Sequence, residues 1–135
     1  MVECIFCRIV NKEIPTAIVY EDDHVTAFLD VHPATKGHTL VIPKKHYEQL
    51  ADLPEKEYLR YMLSLQKVVR GLLRYAPAVN VLRNEGKEAG QLVPHVHFHI
   101  IPRRPNDGLH LGAWRATHEP DLAPVQKTIQ SLFKE

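Results

Sequence analysis

Cysteine is scarce in this chain. It occurs only at positions 4 and 7, too few for a disulfide scaffold. Long apolar runs are missing as well, and no stretch has the ~20 residues that a membrane span needs. The first residues lack a basic segment followed by an apolar one and carry Glu3. No secretory signal is therefore expected, and the cytoplasm is the default location. Neither sign of charge is in excess: 17 Lys and Arg stand against 16 Asp and Glu, leaving +1. That balance speaks against a nucleic-acid binder and against a protein held on an anionic membrane. Internal repeats and low-complexity segments are also absent.

The 135 residues, 44% hydrophobic and 24% charged, are expected to form one globular domain, residues 1–135, with a core that needs no staples. Histidine is the residue in surplus. Nine occur, at 24, 32, 38, 46, 95, 97, 99, 110 and 118, too scattered to be a tag. Three alternate with apolar residues in His95-Val96-His97-Phe98-His99-Ile100-Ile101-Pro102. On a β-strand, side chains of period two share a face, so the three imidazoles point one way and Val96, Phe98 and Ile100 the other. Neighbouring rings then stand roughly 6–7 Å apart. Pro102 is expected to end the strand, because it cannot donate to a central ladder. Single histidines on strand faces mean little, but histidine is not a strong β former, and three in strict alternation call for a functional reading. Either the rings bind a metal, or one is a nucleophile flanked by two helpers. The spacing does not choose between them.

Cys4-Ile5-Phe6-Cys7 leaves a similar choice. It is a redox pair, half of a zinc site, or two plain thiols. A redox motif normally follows a strand, and none precedes this one. Zinc needs two further nitrogen or sulfur ligands, which only histidine can supply; His46 and one member of the histidine strand are the candidates.

Along the chain, residues 4–10 read as a short helical turn. Strands are expected at Ala17–Tyr20, His24–Asp30, His38–Pro43, Ala78–Asn84 and the histidine run. In the second, Thr26, Phe28 and Asp30 share a face, suited to a ligand with an apolar and a hydroxylated part. One long helix is expected from Glu55 to about Tyr75, capped by Asp52, with Leu59, Met62, Leu63, Val69, Leu72 and Leu73 as its apolar stripe. Pro124–Phe133 reads as a C-terminal helix, while Trp114–His118 follows no pattern. Short links between strands and one long helix imply an α+β fold with a mostly antiparallel five-stranded sheet. The absence of a Walker-type lysine loop excludes nucleotide binding by that route.

Several blocks together resemble one family. Cys4-Ile5-Phe6-Cys7, Glu13-Ile14-Pro15, Phe28-Leu29-Asp30, Gly37-His38-Thr39-Leu40-Val41-Ile42-Pro43-Lys44, Asn84-Glu85-Gly86, Gly90-Gln91 and His95-Val96-His97-Phe98-His99 are similar in order and spacing to the histidine triad (HIT) nucleotide hydrolases and transferases. The bacterial phosphoramidase-like branch, with an N-terminal CxxC, is the nearest. The resemblance implies cleavage of a nucleoside monophosphate, AMP above all, from an amine or phosphate leaving group through a nucleotidyl-histidine intermediate. It implies that His97 is the nucleophile, with His99 and His38 bonding to it or to the α-phosphate. Asn84 and Gln91 match positions at the phosphate and leaving group, Asp30 the position that binds ribose hydroxyls, and Phe6, Ile9, Phe28 and Val31 the apolar cleft for a purine base. Cys4, Cys7, His46 and His95 match a structural zinc site, and relatives are homodimers. One position departs: many relatives carry Ser or Thr after the glutamine, and this chain has Leu92. A hydroxyl bonded to a phosphate oxygen would be worth about 1.5–3 kcal/mol. The rival readings are a zinc-dependent hydrolase using His95, His97 and His99, and a nucleotide-binding module without turnover.

Overall fold

A computed structural model describes residues 3–111 and 117–133 of the chain. Residues 114–116 of the unpatterned Trp114–His118 stretch thus lie outside the described residues. The first helix, α1 (Ile5–Val10), begins where the Cys4 backbone is extended and its thiol accepts from the Cys7 N–H. The helix buries Phe6 and Ile9, three residues apart on one face.

Five strands follow: β1 (Ile18–Glu21), β2 (Val25–Leu29), β3 (Thr39–Pro43), β4 (Ala78–Leu82) and β5 (Phe98–Arg103). They form one antiparallel sheet in the order β1-β2-β3-β5-β4. The helix α2 (Glu55–Leu72) joins β3 to β4, and α3 (Ala123–Ser131) lies near the C-terminus with no buried residue. No described helix is long and apolar enough to cross a membrane. The α+β class and the antiparallel sheet are as expected.

Alternation along the strands divides the core between the two faces. On one, Val25, Ala27, Val41, Val96 and Ile100 pack against Tyr61, Leu65 and Val68 of α2. On the other, Phe28, Leu40 and Ile42 pack against Cys4, Phe6 and Ile9. The site lies on this second face, beneath α1.

Most element ends shift by one to three residues from expectation, and four features differ for a local reason. The histidine strand begins at Phe98, because the Val96 N–H bonds to Tyr47 O, leaving His95 and His97 in irregular chain ahead of the ladder. Pro102 lies inside β5. The β3 pairing extends only to Thr39–Ile100, so the missing N–H faces no strand, and the Pro102 carbonyl accepts from Thr35 Oγ1 at 2.7 Å. The α2 stripe is centred on Tyr61, Ser64, Leu65 and Val68, while Leu59 and Leu63 are exposed. Tyr61 is buried because its hydroxyl donates to Val41 O at 2.6 Å. Asp52 does not cap α2 but turns back to the Gln49 N–H, and Pro54 takes the N-cap position.

The β1–β2 link is held by Asp22. Its carboxylate accepts from the N–H groups of His24 and Val25 at 2.8 and 2.9 Å and from the Tyr20 and Ser64 hydroxyls, both at 2.7 Å. Burial pushes its pKa up, but the Ser64, Tyr20 and backbone bonds outweigh that and bring it down to about 2. The stability these bonds add is therefore complete above the ordinary aspartate value near ~4 and is lost as pH falls toward the folded one. Asp22→Asn is expected to lower stability at neutral pH by about 1–3 kcal/mol. In urea unfolding across a pH series, its deficit should shrink between about pH 4 and 2; a deficit independent of pH would show that the charge does not matter.

Candidate functional site

Seven described histidine and cysteine side chains gather on this face, and the backbone dictates the protonation of four of the rings. A carbonyl can only accept a hydrogen bond and an amide N–H can only donate one. His97 Nδ1 lies 2.7 Å from the carbonyl of His95. It must carry the proton, which leaves the Nε2 lone pair free. His95 has the reverse arrangement. Its Nε2 donates to Pro43 O at 2.9 Å, so its Nδ1 presents a lone pair. For His38, Nδ1 accepts from the Ala34 N–H at 2.9 Å, which puts the proton on Nε2, and that group donates to His99 Nδ1 at 2.9 Å. The His99 proton is thereby placed on Nε2. Three tautomers are set by three backbone groups and passed along one ring-to-ring bond.

These assignments hold for neutral rings, and burial keeps them neutral. It pushes the pKa values of His38 and His97 below the ordinary imidazole value and brings His95 and His99 down to about 4. For His97 the His95 carbonyl works against the fall and the Arg83 charge works with it. For His99 the neighbouring His97 and His38 rings add to the effect of burial. A neutral imidazole with a free Nε2 lone pair is a nucleophile near pH 7.

The rings form a row. Ring centres are 4.9 Å apart for His46 and His95, 5.1 Å for His97 and His99, and 5.2 Å for His38 and His99. Asp30 sits at the end of it. One carboxylate oxygen accepts from the His32 N–H at 2.8 Å and the other lies 3.7 Å from His38 Nε2.

Two groups of side chains converge closely enough to hold a metal ion. In the first, His95 Nδ1 lies 3.4 Å from Cys4 Sγ, 3.6 Å from Cys7 Sγ and 3.1 Å from His46 Nδ1, and Cys7 Sγ is 3.3 Å from His46 Nδ1. A tetrahedral zinc ion, bonded at about 2.3 Å to sulfur and about 2.0–2.1 Å to nitrogen, would place N and N about 3.3 Å apart and N and S about 3.6 Å apart. The donors fit. The free lone pair of His95 points at the two thiols, and burial together with Cys4 pushes the Cys7 thiol up to about 11. The second group, Asp30, His38 and His99, does not fit. The Ala34 N–H already occupies His38 Nδ1, so a metal on Nε2 would require an imidazolate. In that group His38 Nε2 donates to His99, and Asp30 lies beyond hydrogen-bond distance of His38.

The other expected site residues fall into three situations. Phe6, Ile9 and Phe28 are together, but packed against one another rather than open, with the Phe6 and Phe28 ring centres 5.6 Å apart. Val31 stands apart from them, 84% exposed. Gln91 is buried and fully engaged: its Oε1 accepts from the Gly86 N–H and its Nε2 donates to the carbonyls of Glu48 and Val93. Its amide holds the loop and has no N–H left for a phosphate. Asn84 differs, because its amide lies over Gly90 and makes no hydrogen bond among the described residues. Gly90 has φ +99°, and a Cβ there would lie 3.5 Å from Asn84 Nδ2. Leu92 is 91% exposed. It lines a cavity of about 320 Å³ with Gln91, Pro94 and Glu48.

Arg83 was not foreseen. Its side chain is only 6% exposed, pairs with Glu85 at 2.5 Å, and donates to the carbonyls of Asn84 and Glu48. Glu85 in turn accepts from the N–H groups of Leu50 and Ala51. The pair ties the loop after β4 to the loop before α2. The only signal in the sequence is an arginine directly behind the apolar run Val81-Leu82.

Fold and site together define an α+β protein with a backbone-oriented histidine cluster beside a Cys₂His₂ group. Residues 11–106 match the HIT domain. The chain is 46% identical over 135 residues to Protein hit of Bacillus subtilis, covering 97% of this chain and 92% of that one. It is 41% identical over 130 residues to the adenosine 5'-monophosphoramidase HNT1 of Saccharomyces cerevisiae, covering 96% and 80%. A crystal structure of a HIT family member from Bacillus subtilis superposes with a TM-score of 0.88 at 39% identity, covering 99% of each chain. The protein belongs to the HIT family.

The tautomers can be measured. Ring ¹⁵N shifts near pH 7 are expected to report a proton on Nδ1 of His97 and on Nε2 of His95, His38 and His99. A proton on Nε2 of His97 would contradict the assignment drawn from the His95 carbonyl.

Proposed function

We propose that the protein is a nucleotidyl hydrolase or transferase, with AMP bound to an amine or a phosphate as its substrate. The observation that carries this reading is the bond from His97 Nδ1–H to the His95 carbonyl, which leaves Nε2 unprotonated and able to attack phosphorus. Membership of the HIT family and a relative named as an adenosine 5'-monophosphoramidase support it.

In the first step the Nε2 lone pair of His97 bonds to phosphorus while the P–N or P–O bond to the leaving group breaks. The electron pair of that bond goes to the leaving group, which takes a proton from solvent, while His99 Nε2–H, the outer end of the His38–His99 relay, donates a hydrogen bond to a phosphoryl oxygen. In the second step water adds to phosphorus and the P–His97 bond breaks. AMP is released, and the proton lost by water returns to solvent. A positioned donor of this kind stabilises the charge that builds on the phosphoryl oxygens. Phe6, Ile9 and Phe28 supply an apolar floor for a purine, Val31 a rim, and Asp30 a carboxylate for ribose hydroxyls. Asn84 is the free amide for a phosphate oxygen. With Leu92 in place of a hydroxyl and Gln91 engaged, that charge has fewer donors.

Rapid-quench mass spectrometry with an adenosine phosphoramidate tests the reading. The parent protein is expected to gain an adenylyl group. His97→Ala should gain none and lose about 10⁴-fold or more in turnover. Adduct formation in His97→Ala would move the nucleophile elsewhere, and tight AMP binding with no adduct in the parent would make this a binding module.

Cys4, Cys7, His46 and His95 are the residues that would hold a structural zinc ion. Bound there, zinc would cross-link α1 to the chain just after β3 and the chain just before β5 and take no part in the reaction. His95 lends its lone pair to this group, so the three triad rings do not share one metal, which disfavours the zinc-hydrolase rival. One zinc per chain is expected by native mass spectrometry. Adding zinc to stripped protein at 100 times its dissociation constant should stabilise the fold by about 2.7 kcal/mol. An unchanged melting temperature would remove zinc from the account.

The remaining parts of the reading follow from the surface and the composition. The chain acts as one HIT domain in the cytoplasm, with neither nucleic acid nor membrane as partner. It pairs with a second copy, for which the open edge of β4 and the exposed Leu59, Leu63, Leu122, Val125 and Ile129 offer apolar surface.

A further inference from the structure

We propose that Phe6 is a positioning residue that ties the Cys4–Cys7–His46–His95 cluster to the imidazole of His97. A metal ion in the cluster and a nucleoside monophosphate beside His97 then bind cooperatively. The inference rests on the nucleotide reading above and on the metal fit, and adds a connection that neither contains.

The connection is visible in α1. Six residues are too few for a helix to hold itself in water, so α1 depends on what anchors it. The anchors are the buried side chains of Phe6 and Ile9 and the two thiols. Phe6 lies between the thiols in sequence and between two triad rings in space. Its ring meets His97 edge-on, with centres 5.1 Å apart and planes at 88°. It meets His95 in the same way at 5.8 Å and 72°, and it packs against Phe28. Cys4 and Cys7 approach His95 Nδ1 from the same helix. A metal ion that draws four donors into a tetrahedron sets where α1 sits, and α1 carries Phe6. The ring then limits how His97 can tilt about its bond to the His95 carbonyl. A nucleotide that needs one orientation of His97 favours the same position of α1 and, with it, the gathered thiols.

Linkage makes the consequence quantitative. If zinc tightens AMP binding by some factor, AMP must tighten zinc binding by that same factor. Two titrations on the whole protein measure it: AMP with and without zinc, and zinc against a chromophoric chelator with and without AMP. Wild type is expected to show an equal, reciprocal factor of about 5 or more. Phe6→Leu, which nearly conserves volume, should bring the factor close to one whatever it does to either affinity alone. A second path exists, since His95 itself accepts the His97 proton through its carbonyl. Full coupling in Phe6→Leu would assign the effect to that path and overturn the role of Phe6. Equal zinc affinities with and without AMP in wild type would overturn it too. If Phe6→Leu does not fold, Phe6–His97 ring NOEs in wild type replace it: they should weaken when zinc is removed, and unchanged NOEs refute the proposal. Absence of AMP binding in every arm would instead strike the nucleotide reading, and the coupling with it.

Discussion

The hydrogen bond from His97 Nδ1 to the carbonyl two residues earlier decides more than any other contact in this molecule. An imidazole has one proton and two nitrogens, and nothing in the side chain chooses between them. The backbone chooses here. Because β5 begins only at Phe98, the His95 carbonyl is not committed to a strand partner and can turn to the His97 ring. The late start of the strand is therefore a condition of the site. Had the ladder begun at His95, that carbonyl would be spent on sheet pairing.

Packing on both faces of the sheet supports this arrangement. The α2 side holds Val96 and Ile100 in its core, which fixes the chain on either side of His97 and His99 from below. The α1 side sets Phe6 against His95 and His97 from above. At the far end, the Arg83–Glu85 pair joins the loop after β4 to the turn at Leu50 and Ala51. Gln91 holds the loop leading to the triad by three bonds to the backbone. His95 and His97 thus stand on irregular chain that is braced from several directions, which gives rigidity without regular secondary structure.

Neutral histidine is the common feature of the two constellations. Metal ligation and nucleophilic attack both need an unprotonated nitrogen, and burial under α1 lowers the pKa values of His95 and His97 alike. One desolvated pocket meets the condition that either role would require. What separates them is the nitrogen left free: Nδ1 of His95 toward the thiols, Nε2 of His97 away from them.

Much was legible in the sequence because alternation is a local property. The shared face of the three histidines, the opposite placement of Val96 and Ile100, and the separation of Phe28 from Val25 and Ala27 follow from a period of two and hold in the fold. The gathering of Cys4, Cys7, His46 and His95 followed from resemblance to a family, and the structure brings their donor atoms together. The α2 stripe was misjudged because Tyr61 reads as half-polar until its hydroxyl finds Val41 O. Gln91 and Arg83 were beyond reach, since their partners are backbone carbonyls and N–H groups 35 to 43 residues away or on the adjoining loop. A backbone amide has the same chemistry at every position, so no residue letter announces which one will face a ring. The order of residues determined which side chains share a surface; only the folded chain decided where Ala34, Pro43 and His95 point their peptide groups, and hence which nitrogen of each histidine is free to act.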